Sequence, residues 1–371
     1  MRRYDPGVDF TFSADQDALR DAARAVLADH ATSSYVLAMA DDPRGFTDDV
    51  WGRIVESGWS GLLVPVDQGG LGLGLVDAVV VLEETGRIPL PGPFFSSAIL
   101  ATIAARRLGA TELLEALASG EQRGSVALEE MGHGDPVDRV RTRAHRTGAE
   151  WVLNGAKPLV LDGHTADWLI VVARTPEGLG SFLIEEPVAD AVPTMDPTRK
   201  AARLELHDTP AVPIGPRGDH TAIWRRVNDD GAVGLAAELV GVAEAAMEQA
   251  SEYAKTRVQF DRPIATHQVI QHKIVDMLHR LELGRVGVHS AAWASDVDDE
   301  HRARSAAVAK SYMAEAAIFV TAEDIQVHGA VGFTWENPAH FLYKRAKQND
   351  LMLGYQGWQR RRIADFVLDG A

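Results

Sequence analysis

The chain changes texture twice, and that limits its fold more than any single motif. From residue 10 to 118 apolar residues recur mostly at helical spacing. Ser13 is placed to cap a segment Asp15–His30, in which Leu19, Ala23, Val26 and Leu27 repeat as one stripe. Further helices are expected near Asp48–Ser57, Val76–Thr85, Ser97–Leu108 and Glu112–Ala118. After Gly120 short apolar runs take over: Ser125–Glu129, Trp151–Leu153, Trp168–Ala173, Gly180–Ile184 and Ala202–Leu206. Gly, Pro and Asp separate them, and Asn154-Gly155 reads as a turn, so these runs are expected strands. From about Thr221 the helical period returns. Leu239, Val240, Ala243, Met247, Ala250 and Tyr253 form a stripe leading to Arg257, and Pro263 stops that helix. Helices are expected to follow around Thr266–Ser295, Asp299–Val327 and Gly357–Leu368. The expected fold class is α+β: a helical domain over 1–120, a β domain over 121–215 and a helical-bundle domain over 216–371.

Composition excludes several functions. Of 371 residues, 46% are hydrophobic and 24% charged, as in a globular chain with sizeable cores. The net charge of −16 argues against nucleic acid, whose phosphates require a basic face. A phosphorylated small molecule needs only a local basic pocket. No apolar run reaches the length of a membrane span, and Met1-Arg2-Arg3-Tyr4-Asp5 lacks the apolar stretch of a signal peptide. There is no cysteine, so disulfides and thiolate chemistry are excluded and a cytoplasmic location is the default. His133, His164 and His328 show no metal-ligand spacing, so no metal is expected.

Two stretches carry chemistry. In the first, Tyr253 to Ile264, the Arg257 guanidinium offers a planar fork that can grip a pyrophosphate. As the last residue of a helix it also suits a bland role at the negative end of the dipole. Gln259 and Phe260 add an amide and an aromatic wall, and His267 and Gln268 add hydrogen-bonding groups after the turn. The second runs from Gln326 to Glu336. There Gly329 and Gly332 allow a close backbone approach or, more plainly, a helix cap and a turn.

The first stretch closely resembles the flavin-binding signature of acyl-CoA dehydrogenases, Y-x-x-x-R-x-x-F-G-x-x-I followed by Gln and a D-M pair, here Gln268 and Asp276-Met277. The second resembles the family's Q-x-H-G-G-x-G-F-T-W-E, with Ala330 in place of one glycine. Trp59 to Gly72 resembles G-W-x-x-L-x-x-P-x-x-x-G-G-x-G. Val81 to Gly86 resembles V-x-E-E-L-G. Trp151 to Lys157 with Ala166-Asp167 resembles the L-N-G-x-K…A-D hairpin. The ordered set covers most of the chain.

The resemblance implies the family fold: an N-terminal helical domain, a middle β-barrel-like domain and a C-terminal four-helix bundle. It implies FAD held across a subunit interface, with Arg257, Gln259 and Phe260 on the pyrophosphate and adenosine of a neighbour's FAD. His267, Gln268, Gln326, Gly329 and Ala330 line the same region. It further implies an acyl-CoA substrate, electron-transfer flavoprotein as electron acceptor, and a homotetramer or an α2β2 heterotetramer with a homologous subunit.

The family's catalytic carboxylate has no counterpart. It belongs to an I-Y-E-G-T motif, and the matching positions here read Gln356 in one register and Leu353 in the other. Members that carry the base on the preceding helix place it where Gly231 stands. Glu238, two turns beyond and roughly 10 Å along the axis, and Asp230 are the candidate replacements. Buried pairing with arginine is the bland role for Glu238, and a helix N-terminal charge the bland role for Asp230. The T-E-P-x-x-G-S-D loop reads Leu128-Glu129-Glu130-Met131-Gly132-His133-Gly134-Asp135, where Glu130 keeps the acid. Leu159-Val160-Leu161 stand where W-I-T usually flanks the flavin ring. Three functions are open, the first two being a dehydrogenase with a displaced base and a non-catalytic subunit that lends FAD contacts to a partner. A different flavin reaction on a non-CoA substrate is the third.

Overall fold

A computed structural model describes residues 12–368. The expected lack of a leader at residues 1–5 lies outside the described residues. Helix α1 (Ala14–His30) begins as anticipated. Ser13 Oγ accepts from Gln16 N–H while the Gln16 side chain accepts from Ser13 N–H, a reciprocal cap that satisfies two orphan donors. Helices α2 (Ser33–Asp41), α3 (Asp48–Glu56) and α4 (Leu75–Arg87) follow. A wide helical turn, Phe94–Ala101, then runs into α5 (Thr102–Leu108), and α6 (Leu114–Ala118) closes the first helical part.

Seven strands come next: β1 (Gly124–Ala127), β2 (Arg143–Thr147), β3 (Glu150–Leu161), β4 (Trp168–Thr175), β5 (Gly178–Glu185), β6 (Asp190–Val192) and β7 (Ala201–Ile214). Their pairings close a ring, β2-β3-β7-β5-β4 and back to β2, with β1 beside β4 and β6 beside β7. Strand β4 shows how this small barrel joins the rest. Leu169, Val171 and Ala173 point into the barrel core, while Trp168, Ile170 and Val172 point into the helical core. Such two-faced burial produces an uninterrupted apolar run rather than alternation.

The Asn154-Gly155 turn is a correction. These residues lie inside β3, at a register shift against β7. Gly155 has φ +147°, and a Cβ there would sit 2.8 Å from Thr142 Cα, so the glycine serves a bulge. Asn154 does not turn the chain; it exchanges hydrogen bonds with Asp208 on β7.

The C-terminal part holds α7 (Thr221–Thr256), α8 (Gln268–Asp296), α9 (Arg302–His328), α10 (Ala339–Leu351) and α11 (Gln356–Leu368). Helix α7 is almost wholly buried in its first two-thirds, packed by α4, α8, α9 and α10. It ends at Thr256, well before Pro263, and a two-strand hairpin intervenes: β8 (Val258–Gln259) with β9 (Arg262–Pro263). Among the described residues, no helix is long and apolar enough to cross a membrane.

Candidate active site

The site has an outward half and an inward half. The outward half begins at the end of α7, where Arg257 N–H donates to Tyr253 O at 2.9 Å and closes the helix. Val258 and Gln259 then pair with Pro263 and Arg262, which forces a two-residue turn at Phe260-Asp261. Both turn residues have positive φ, +55° and +61°, the signature of the turn that suits a hairpin's twist. Phenylalanine in this left-handed region is strained by about 1–3 kcal/mol. Its ring is 87% exposed, so burial within this chain does not offset the strain.

His267 meets the Phe260 ring edge-on at 6.0 Å and accepts from Arg262 at 3.1 Å. Gln268 opens α8 beside it. Gln326, Gly329 and Ala330 lie on or just past the end of α9, which is held to the end of α7 by His328 stacked on Tyr253 at 4.4 Å. The side chains of Arg257, Gln259, Gln268 and Gln326 are exposed, and none has a hydrogen-bond partner among the described residues. A guanidinium, three amides and an exposed aromatic wall form a donor set that fits the pyrophosphate and adenosine of a dinucleotide.

The inward half is a cavity between the barrel and the bundle. Leu100, Val126, Leu128, Leu159, Leu161, Val227, Met352 and Leu353 give it apolar walls, and Glu129 and Asn228 are its polar members. Leu353, which stands at the carboxylate position in one register, and Gly231, where members with the base on the preceding helix place it, face each other here. A Cβ on Gly231 would lie 2.8 Å from Leu353 Cδ1 and 2.9 Å from Leu100 Cδ1. Gln356, the other register's candidate, turns away from the cavity; its side chain reaches Ser311 O and Glu315 on α9.

Neither proposed replacement faces this cavity. Glu238 is a correction: Arg199, Arg345 (2.9 Å) and Asn349 (2.9 Å) hold both of its oxygens in a fully buried cluster. A carboxylate so saturated with donors has no lone pair free to take a proton from a ligand. Asp230 is likewise diverted. It accepts from Arg107 (2.9 Å), Arg226 (3.1 Å) and Ser295 Oγ (2.6 Å), on a separate polar cleft with Arg106 and Asp296. Arg362 on α11 pairs with the buried Asp229 at 2.8 Å.

Sequence reasoning passed over Glu129. One of its oxygens accepts from Leu353 N–H at 3.0 Å, the other from Arg139 Nη2 at 2.7 Å. Burial raises its pKa above the ordinary glutamate value, against the opposing pull of Arg139 and the Leu353 N–H. The only signal in the sequence was an acid where the family carries threonine. Its neighbour Glu130 behaves differently. It receives Lys157 Nζ at 2.7 Å, the Thr142 hydroxyl at 2.7 Å and two backbone N–H groups. Burial pushes that carboxyl up, but Lys157 and Thr142 outweigh it and hold it below the usual range. Lys157, wholly buried, is pushed down to about 8 by desolvation. The Glu130–Lys157 pair is structural.

A flavin ring therefore fits the inward half poorly. The walls offer apolar side chains at Leu159 and Leu161, and a reduced flavin's negative charge would stand against the Glu129 carboxylate. The outward half fits the other end of the same cofactor.

The profile for the N-terminal domain of acyl-CoA dehydrogenases matches residues 13–124, and that for the C-terminal domain matches residues 224–368. Acyl-CoA dehydrogenase IpdE2 of Mycobacterium tuberculosis is 33% identical over 337 residues, covering 90% of this chain and 91% of the relative. IpdE2 of Mycolicibacterium smegmatis is 31% identical, covering 95% and 98%. Among solved structures, a variant of the Tcur3481–Tcur3483 steroid ACAD superposes with a TM-score of 0.88 at 30% identity, covering 96% of this chain and 98% of that one. The ChsE4–ChsE5 complex from Mycobacterium tuberculosis gives 0.88 at 28% identity, covering 98% and 99%. With the barrel between two helical parts, the Arg257 hairpin and these likenesses in hand, the chain belongs to the acyl-CoA dehydrogenase family of flavoprotein oxidoreductases.

Proposed function

We propose that this chain is the non-catalytic subunit of a heteromeric, FAD-dependent acyl-CoA dehydrogenase. Arg257, Gln259 and Phe260 reach out to the pyrophosphate and adenosine of an FAD whose ring is seated in a homologous catalytic partner. The observation that carries this reading is the contact of Leu353 with Gly231. Removing the α proton of a thioester requires a placed base, and none of Leu353, Gly231 and the outward-turned Gln356 is a carboxylate. The flavin, when bound, supplies the acceptor for the β hydride. The likeness to two complexes of paired subunits supports the assembly, and the steroid ACAD among them supports an acyl-CoA from lipid or steroid side-chain breakdown as substrate.

A self-sufficient dehydrogenase is the second reading, and one observation favours it: the Glu129 carboxylate lines the cavity. The two separate when the chain is purified alone. The partner-subunit reading expects little bound FAD and no anaerobic bleaching of flavin by acyl-CoA. Stoichiometric flavin that acyl-CoA reduces would establish the second reading instead.

A further inference from the structure

We infer that Glu129 is an internal occupant of the carbonyl-binding position in this subunit's cavity, and that it reserves the acyl thioester for the partner's cleft. The inference rests on the partner-subunit reading above. Chemistry at the α carbon of a thioester builds negative charge on the carbonyl oxygen, which must meet an N–H donor inside a dry pocket. Leu353 supplies such a donor at the cavity wall. Its N–H is already taken by an anionic oxygen of Glu129 at 3.0 Å.

The rest of the Leu353 peptide is held as firmly. Its carbonyl accepts from Asn228 Nδ2 and Gln359 Nε2, each at 3.3 Å. Leu353 itself stands at φ +52°, a conformation that a branched side chain adopts only when its surroundings enforce it. Arg139 completes the latch by donating to the other Glu129 oxygen and to Gly132 O, so the loop between them folds down over the carboxylate. Glu129 thus presents an oxygen to a backbone donor as a substrate carbonyl would. A thioester entering the same cavity must first displace it, breaking two charge-assisted hydrogen bonds. The Gly231–Leu353–Leu100 contact makes the cavity unable to use a thioester, and Glu129 makes it unable to hold one.

The test is acyl-CoA binding by the full chain alone, measured by calorimetry with octanoyl-CoA and with free CoA, which lacks the carbonyl. Glu129→Ala is expected to tighten octanoyl-CoA binding about ten- to a hundredfold, since each hydrogen bond to a charged group is worth about that factor. Binding of free CoA should be unchanged. Glu129→Gln, which keeps an acceptor on the Leu353 N–H, should retain most of the block. If Glu129→Ala does not fold, Glu129→Thr carries the same expectation. A folded Ala or Thr variant that binds octanoyl-CoA no better than the original chain overturns the inference, as does an original chain that already binds it equally well. Flavin content does not enter this measurement, so the partner-subunit reading stands or falls separately.

Discussion

The half-buried Glu129 and the buried Lys310 lie close enough for their charges to interact, and they illustrate how placement sets the behaviour of a titratable group. Lys310 on α9 is completely buried, and its ammonium donates to Asp350 O at 3.0 Å, at the end of α10. Desolvation pushes its pKa down to about 8, with Asp350 and Glu129 pulling the other way. Its folded pKa thus lies below the ordinary lysine value. Between about pH 8 and that value the unfolded chain binds more protons, so this group's contribution to stability improves as pH rises. Below pH 8 the lysine is charged in both states and its burial cost is fully present. Lys310→Met should therefore raise the melting temperature at pH 7, with its advantage over the original chain shrinking toward pH 9.5. Parallel thermal scans across that range check the sign. None of this was visible from residue types. Glu129 meets Leu353 from 224 positions away in the chain, and neither motif reading connects them.

At the scale of elements, two glycines decide how α4 crosses α7. A Cβ on Gly86 would lie 2.0 Å from Glu238 O, and one on Gly241 would lie 1.8 Å from Glu83 O. Each helix contributes a glycine opposite the other's backbone, so the axes approach more closely than any side chain permits. Gly241→Ala should cost the upper end of the usual overpacking range of about 1–3 kcal/mol, because backbone rather than a flexible side chain must yield. Urea denaturation monitored by circular dichroism reads this loss. Gly86 sits in the V-x-E-E-T-G match, so the motif marks a crossing as well as a helix. Helix α10 shows the converse. Hydrophobic periodicity overlooked it because its buried face carries Arg345, Gln348 and Asn349 beside Phe341 and Leu342. A polar buried face leaves no apolar stripe to find. The β8–β9 hairpin escaped for another reason: at two residues a strand it has no period.

The whole molecule is tied together where Glu238 lies. Arg345 on α10 pairs with Asp196 before β7 and with Glu238 on α7, and it donates to Pro89 O and Leu90 O of the first helical part. Arg199 joins the same cluster and lies over Phe95. One network thus spans both helical parts and the barrel. Removing one member of a buried ion pair leaves its partner uncompensated, at about 3–5 kcal/mol. Glu238→Ala should lower stability by that amount, read from the shift of the urea midpoint. A loss near zero would show that the arginines find other partners.

The sequence by itself determined the order of helical, strand and helical parts, the Ser13 cap and the stripe of α7, because these depend on local spacing that survives without neighbours. It also marked the stretch from Tyr253 to Ile264, whose residues are contiguous, though not the hairpin it forms. The tertiary structure alone decided which donors hold each carboxylate. Glu238, Asp230 and Glu129 read alike as acids near a helix or a loop. Their roles were fixed by arginines and a backbone N–H brought in from distant segments, since a charge in a low-dielectric interior is defined by the groups that surround it.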